Sequence, residues 1–403
     1  MSSNAPNTKT ERRQPFVALA LSGGGARAMA FHLGCLRALH DRKILAKVRV
    51  ISTVSGGSVL GAYYAYGPSD FETFDKNVVS VLESGIQGAI AREVLFTTQL
   101  PKILGTLLVT GTLSLASWCI RALLSLMRRL IGLPTLGIER GLAAVARSLP
   151  IWASLTSAFE RALARRLFGG KTMSEVARPD LEVIINACDL RTGTAFRFGT
   201  RRSGGWRYGD IAGPTPTVAK AVAASAAFPI LLPPLIETFK FRKGGREYRD
   251  TVALTDGGVF ENLGVSVLEP GRSQDITVAY PTTHIISLNA GAGQMESERT
   301  HFWWIGRVAR SFSAVHRKVQ DATYQRLHQF VEGGELEAFG MVYLGQQDNR
   351  LPWCPPDLVR REEVSNYPTD FAPISHDNLE LLTKRGEQLT QIIVDRYLSD
   401  LGD

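Results

Sequence analysis

The 403-residue chain has only four cysteines, Cys35, Cys119, Cys188 and Cys354, and none forms a Cys-x-x-Cys pair. That scarcity argues against a disulfide scaffold or a cysteine-rich zinc site, and makes a reducing compartment the default. The first residues, MSSNAPNTKTERRQP, contain no apolar run. No secretory signal is expected there, and residues 1–15 read as a disordered lead. A large polar excess is also missing: 44% of residues are apolar and 21% charged, an ordinary globular balance.

What is present begins with an apolar run, Phe16 to Leu21, ending in Ser22-Gly23-Gly24-Gly25. It reads as a buried strand feeding a tight turn. From Ala26, apolar residues recur at helical spacing through about Asp41. Val48 to Val54 is a second strand, stopped by Ser55-Gly56-Gly57, and Ser58 to Tyr66 resumes as a helix. A βαβα start predicts an α/β fold with a parallel, doubly wound sheet covered on both faces. Residues 71 to about 172 hold no clear strand and read as a helical insert. Strands return at Leu181–Cys188, Ala195–Phe198, Ala253–Thr255 and His284–Asn289. Helices are expected over Ile305 to about Phe330 and Asn378 to Leu398. The expected organisation is a catalytic domain over 16–300 and a mainly helical C-terminal region, 301–403, packed on it.

The first turn matches Gly-x-Gly-x-x-Ala through Gly23, Gly25 and Ala28. A dinucleotide site also wants an acid at the end of the second strand, but that strand ends in Thr53-Val54-Ser55. No Gly-Lys-Ser/Thr follows the turn, so it is not a P-loop. The plain reading is a tight turn, yet three successive glycines fit a backbone that something approaches closely. Ser55, between a strand and a helix with Gly56 and Gly57 behind it, has the features of a nucleophile elbow. Thr53 stands where that motif usually has its first glycine. A serine N-cap is the competing reading. In a parallel sheet both turns reach one edge, where the N–H groups of Gly24 and Gly25 would face a carbonyl attacked by Ser55. Such donors are each worth on the order of 3 kcal/mol of barrier.

A serine nucleophile needs a proton acceptor. None of the seven histidines stands in a recognisable catalytic context, and His284, opening an apolar strand, reads as a strand-edge residue. Asp256, in Leu254-Thr255-Asp256-Gly257-Gly258, ends a short strand. Asp-Gly is commonly just a turn. As a strand-end carboxylate on the same edge, however, Asp256 would reach Ser55, with a pKa raised by partial burial.

These residues together resemble the patatin-like phospholipase family. The resemblance rests on Gly23-Gly24-Gly25-Ala26-Arg27, Ser55-Gly56-Gly57 and Asp256-Gly257-Gly258, in the family's chain order. It also rests on Ala224-Ser225-Ala226-Ala227-Phe228-Pro229 and on Asn262. It implies a three-layer fold with a mainly parallel central sheet, and lipid acyl hydrolysis without a cofactor or metal. It further implies a Ser55–Asp256 dyad and an oxyanion hole from Gly23, Gly24 and Gly25, with Arg27, Gly57, Gly257 and Gly258 in support. The chain departs from the pattern at Thr53, at Ser22 where an Asp often stands, and at Ala28 for a Gly. Arg27 is expected to brace its turn through an internal carboxylate rather than to meet a lipid phosphate.

Within the insert, Ile103–Ile120 is 18 residues without charge, just reaching the length of a membrane span. A single crossing would put Ser55 and Asp256 on opposite sides of the bilayer. Between Thr97 and Gly170 there are nine Lys and Arg against two Glu, most of the chain's +8. Arginines interleaved with leucines suit an interfacial surface facing anionic lipid better than nucleic acid, and a helical cap is the plainer alternative. The expected partners are a phospholipid or lysophospholipid substrate and an anionic membrane surface, with any activating partner left open. The expected location is cytoplasmic and peripheral to a membrane. Two rival functions are an esterase of the same dyad type acting on neutral lipid or soluble esters, and a non-catalytic membrane-docking regulator.

Overall fold

The computed structural model describes residues 15–131, 153–229, 231–273, 278–293 and 303–402, with a few single positions between 138 and 145. The expected disordered lead lies outside the described residues except for its last position, and so does most of the insert between 132 and 152. The strands are β1 (Val17–Leu21), β2 (Val48–Val54), β3 (Glu182–Asp189), β4 (Thr194–Gly199), β5 (Gly204–Gly205), β6 (Gly209–Ile211), β7 (Leu235–Lys243), β8 (Arg246–Asp256), β9 (His284–Asn289) and β10 (Ala338–Tyr343). They form one sheet in the order β10-β9-β1-β2-β3-β4-β5-β6-β7-β8.

The half from β10 to β3 is parallel throughout. Its inner strands are almost wholly buried because both faces are covered, while the edge strand β10 is half-buried. Val17, Leu19 and Leu21 of β1 enter the larger core on one face, while Ala18 and Ala20 enter a smaller core on the other. The other half is antiparallel, through β4 to β8. β8 then returns to pair with β3. Here β7 alternates more and less exposed residues and β8 runs from an exposed start to a buried end, an apolar pattern diluted by Lys, Arg and Glu. That dilution hid β7 and most of β8 from sequence reading.

Helix α1 (Gly25–Asp41) follows β1 and α2 (Gly56–Tyr66) follows β2. The C-terminal helix His376–Tyr397 packs on α1. Glycines allow that close crossing: a Cβ on Gly34 would lie 1.9 Å from the Thr383 carbonyl oxygen. The C-terminal region is helical but also supplies β10, the edge strand beside β9. The insert leaves the core after helix Gln87–Leu95 and returns with Leu155–Leu163, which packs against that helix and against Val218–Ser225.

Candidate active site

The register of β3 sets the site. β2 runs parallel to β3 and ends with Val54 opposite Asn186. β8 runs antiparallel to β3 and ends with Asp256 opposite Ala187. Two strands therefore meet head to head along one flank of β3, and the residues at their tips, Ser55 and Asp256, become neighbours. The Ser55 hydroxyl lies near enough to the Asp256 carboxyl to pull its pKa down.

Ser55 has φ +51° and ψ −122°, a conformation that a non-glycine residue rarely holds. Such strain costs about 1–3 kcal/mol and persists only where the surroundings impose it. Here β2 pulls the chain in and α2 leads it out at a sharp angle. The Ser55 N–H donates to Ser225 Oγ at 3.0 Å, and Ser225 Oγ donates to the Asn186 carbonyl at 2.6 Å. Ser225 thus clamps the turn to β3. The two glycines behind Ser55 are needed for close approach: a Cβ on Gly56 would lie 2.2 Å from the Gly25 carbonyl oxygen, and one on Gly57 2.5 Å from that of Ser22. The departure at Thr53 is absorbed nearby. Its methyl packs where Gly61 of α2 has no side chain, and its hydroxyl donates to the Ile184 carbonyl and accepts from Ser58.

Asp256 is buried, and one oxygen accepts the Gly258 N–H at 2.7 Å. Burial pushes its pKa from 3.8 up to about 6, against the opposing pull of the Ser55 hydroxyl and the Gly258 amide. Gly257 packs against the Asn186 carbonyl, where a Cβ would come within 2.3 Å.

The glycine turn lies beside Ser55, and its three residues behave differently. Gly23 donates its N–H to the Asn262 carbonyl at 3.1 Å. That amide is thus engaged in anchoring the turn. Gly24 (φ +140°) and Gly25 (φ +56°) open α1 with left-handed backbone. The C-terminal segment seals the turn, with the Ala26 N–H donating to the Asp370 carbonyl at 2.7 Å. Arg27 reaches that same segment. It donates to the carbonyls of Ser365 (3.2 Å) and Tyr367 (2.9 Å), so two carbonyls stand where a carboxylate was expected. Burial lowers its pKa to about 10, and its Nε has no hydrogen-bond partner.

Ser55 and Asp256 line a cavity of about 570 Å³ together with Gly23, Gly24, Gly25, Gly258 and Asn262. Its far walls are apolar, with Ile90, Leu231, Leu232 and Phe312, and polar at Arg27, His316 and Arg317. His316 and Arg317 come from helix Trp304–Glu332 and carried no motif that would reveal them in sequence. Burial lowers the pKa of His316. His284 opens β9 level with Val17, at the amino edge of the sheet, and hydrogen-bonds to Asp400 at 2.7 Å. With Glu337 it forms a group of donor atoms within 4.8 Å of one another, remote from the Ser55 cavity.

The family model described as patatin-like phospholipase matches residues 19–268. The chain belongs to the patatin-like phospholipase family. No curated protein matches it. Among solved structures, the patatin-like fold aligns with human GIVD cytosolic phospholipase A2 at 13% identity and a TM-score of 0.49, over 94% of this chain and 61% of that one. VipD from Legionella pneumophila aligns at 14% identity and a TM-score of 0.38, over 95% of this chain and 67% of that one. The type III effector protein ExoU aligns at 14% identity and a TM-score of 0.32, over 95% and 53%. The chain thus spans about three fifths of the human protein's length. The mixed α/β architecture, a large sheet flanked by helices, is that of the patatin-like family.

Proposed function

We propose that this patatin-like domain is a serine acyl hydrolase that cleaves fatty-acyl esters of phospholipids or lysophospholipids at a membrane surface. Ser55 is the nucleophile and Asp256 the general base. The observation that carries this reading is the head-to-head meeting of β2 and β8 on β3, which sets a strained serine against a buried carboxylate with a raised pKa.

Asp256 accepts the Ser55 proton as Oγ attacks the ester carbonyl. The N–H groups of Gly24 and Gly25 receive the developing oxyanion. Collapse breaks the ester C–O bond, and the departing alcohol or lysolipid takes the proton from Asp256. Water then attacks the acyl-serine, giving one proton to Asp256 and from there to Ser55 Oγ, and the fatty acid leaves. The apolar walls around Leu231, Leu232 and Phe312 suit an acyl chain.

The membrane part of the reading is supported by the insert. Gln99–Leu130 is a continuous helix long and apolar enough to cross a bilayer by length and composition, and only 11% of its most apolar window is buried. Leu107, Leu108, Leu115 and Trp118 are all more than 60% exposed. Both flanks of the insert return to the same core, so we assign this helix to the interface rather than to a single crossing.

A fluorophosphonate probe tests the chemistry. Wild type is expected to be labelled at Ser55, and Ser55→Ala to take no label and to lose at least about a thousandfold in ester hydrolysis. Label retained by Ser55→Ala would place the nucleophile elsewhere.

A further inference from the structure

A second cavity, of about 600 Å³, opens on the antiparallel half of the sheet and shares no lining residue with the Ser55 cavity. Five arginines line it: Arg197, Arg201, Arg202, Arg272 and Arg326. Strand alternation accounts for the first. In β4, Phe196 and Phe198 point into the core, so Arg197 between them faces the opposite side.

Most of this charge is matched. Arg201 pairs with Glu182, and Arg202 Nε with Asp210 at 3.0 Å. Arg272 and Arg326 both pair with Glu269, at 2.7 Å each, so one carboxylate serves two guanidinium groups. Glu261 also lines the cavity, but its oxygens accept the backbone N–H groups of Leu263, Gly264 and Ser266. Arg197 forms no ion pair among the described residues, and its buried Nε has no hydrogen-bond partner. Burial lowers its pKa to about 10, with Arg272 adding repulsion and the charges of Glu261 and Glu269 pulling the other way. A half-buried guanidinium whose enclosed Nε has no partner is costly and answers no packing need that an apolar residue would not meet better.

Trp206 and Tyr280 form walls beside the arginines. Two further cations, Arg207 and Lys243, lie 5.5 and 5.6 Å from the Trp206 ring centre. The cavity is far larger than a lone inorganic anion and has aromatic surface for an organic group.

We propose that this cavity binds a phosphate monoester, with Arg197 as its central contact and Arg272 and Arg326 contributing the guanidinium charge that Glu269 leaves unmatched. A planar guanidinium fork is the side chain best suited to phosphate oxygens. The proposal does not depend on the function assigned to Ser55. The site lies against Phe260, Glu261 and Ser266, in the same segment that carries Asp256, Gly258 and Asn262 into the other cavity.

The test uses full-length Ser55→Ala protein, so that no turnover enters. Thermal melts and calorimetric titration with glycerol 3-phosphate give the soluble arm. Co-sedimentation with phosphatidylcholine vesicles, with and without phosphatidic acid, gives the lipid arm. Saturable binding in either arm is expected to weaken at least tenfold in Arg197→Gln and in Arg272→Gln, and less in Arg197→Lys, which keeps the charge but loses the fork. Ligand-free Arg197→Gln should melt no lower than its parent, because a buried charge has gone. Arginine-dependent binding of glycerol 3-phosphate identifies a free phosphate ester; arginine-dependent binding confined to phosphatidic acid vesicles identifies a lipid headgroup. No saturable binding in either arm, or equal binding by all variants, overturns the proposal.

Discussion

Two apolar stretches of this chain are treated by the fold in opposite ways. Every residue of β1, Val17–Leu21, is fully buried. In the helix Gln99–Leu130, most of the apolar window is open. The difference lies in backbone chemistry. A strand's N–H and C=O groups need neighbours on both sides, so β1 takes β9 and β2 and sits in the middle of the sheet. A helix meets its hydrogen bonds internally and forms without a neighbour on its apolar face. Hydropathy therefore says that a segment leaves water; it does not say whether protein or lipid takes water's place. On the function proposed above, the buried run positions the reaction centre, and the exposed one, with Arg121, Arg128 and Arg129 along it, would offer a surface to anionic lipid.

If that division is right, substitutions at the rim of the sheet alter chemistry on every substrate, and substitutions on the insert alter only work at a surface. The largest effect is expected from Asp256→Asn, which should lower kcat/KM on the order of a thousandfold on soluble esters and vesicles alike. In wild type, kcat/KM should fall about tenfold per pH unit below about 6, as the base takes up its proton. Stability should move the other way. The folded state holds this carboxyl near 6 rather than 3.8. Its contribution to stability is therefore fully present below pH 3.8 and is lost as pH rises through 6. Ionising it costs the fold roughly 3 kcal/mol, at about 1.4 kcal/mol per pH unit. Asp256→Asn should accordingly melt higher than wild type at pH 8, and the gap should close toward pH 4. A gap that widens on acidification would contradict a buried base.

A smaller effect is expected from replacing Leu107, Leu108, Leu115 and Trp118 with Ser. Vesicle hydrolysis should drop at least about tenfold as interfacial apolar area is lost. Hydrolysis of a short-chain soluble ester should stay within about twofold of wild type. Equal losses on both substrates would mean that the helix is part of the catalytic body, and the comparison would fail. The smallest effect should come from Arg128→Gln, an exposed position. Affinity for anionic vesicles should weaken about fivefold, matching roughly 1 kcal/mol per cation. High salt should erase this difference, since the charge is solvated.

Much of the site could be read before any coordinates, because its parts are local. Ser55 and Asp256 stand at strand ends, and Gly24, Gly25, Gly56 and Gly57 are required by the turns in which they lie. The antiparallel half was harder to read. β7 and β8 mix lysine, arginine and glutamate with their apolar residues, and a half-exposed strand leaves only a weak period-2 signal. β5 and β6 are two and three residues long, too short for any pattern. His316 and Arg317 sit on a long amphipathic helix whose sequence does not say which turn overlooks the cavity.

From its order of residues alone the chain was committed to an α/β domain with a serine turn, an aspartate turn and a glycine loop, since apolar runs and glycine positions act within a few residues of themselves. Tertiary structure decided the rest through partners far away in sequence. Ser225 holds Ser55 across 170 residues, Asn262 takes the amide of Gly23, and Arg197 comes to face a cavity with no ion-pair partner among the described residues and its Nε unpartnered. Those outcomes depend on which strands become neighbours along β3, and pairing between distant segments is settled by the packing of the whole sheet.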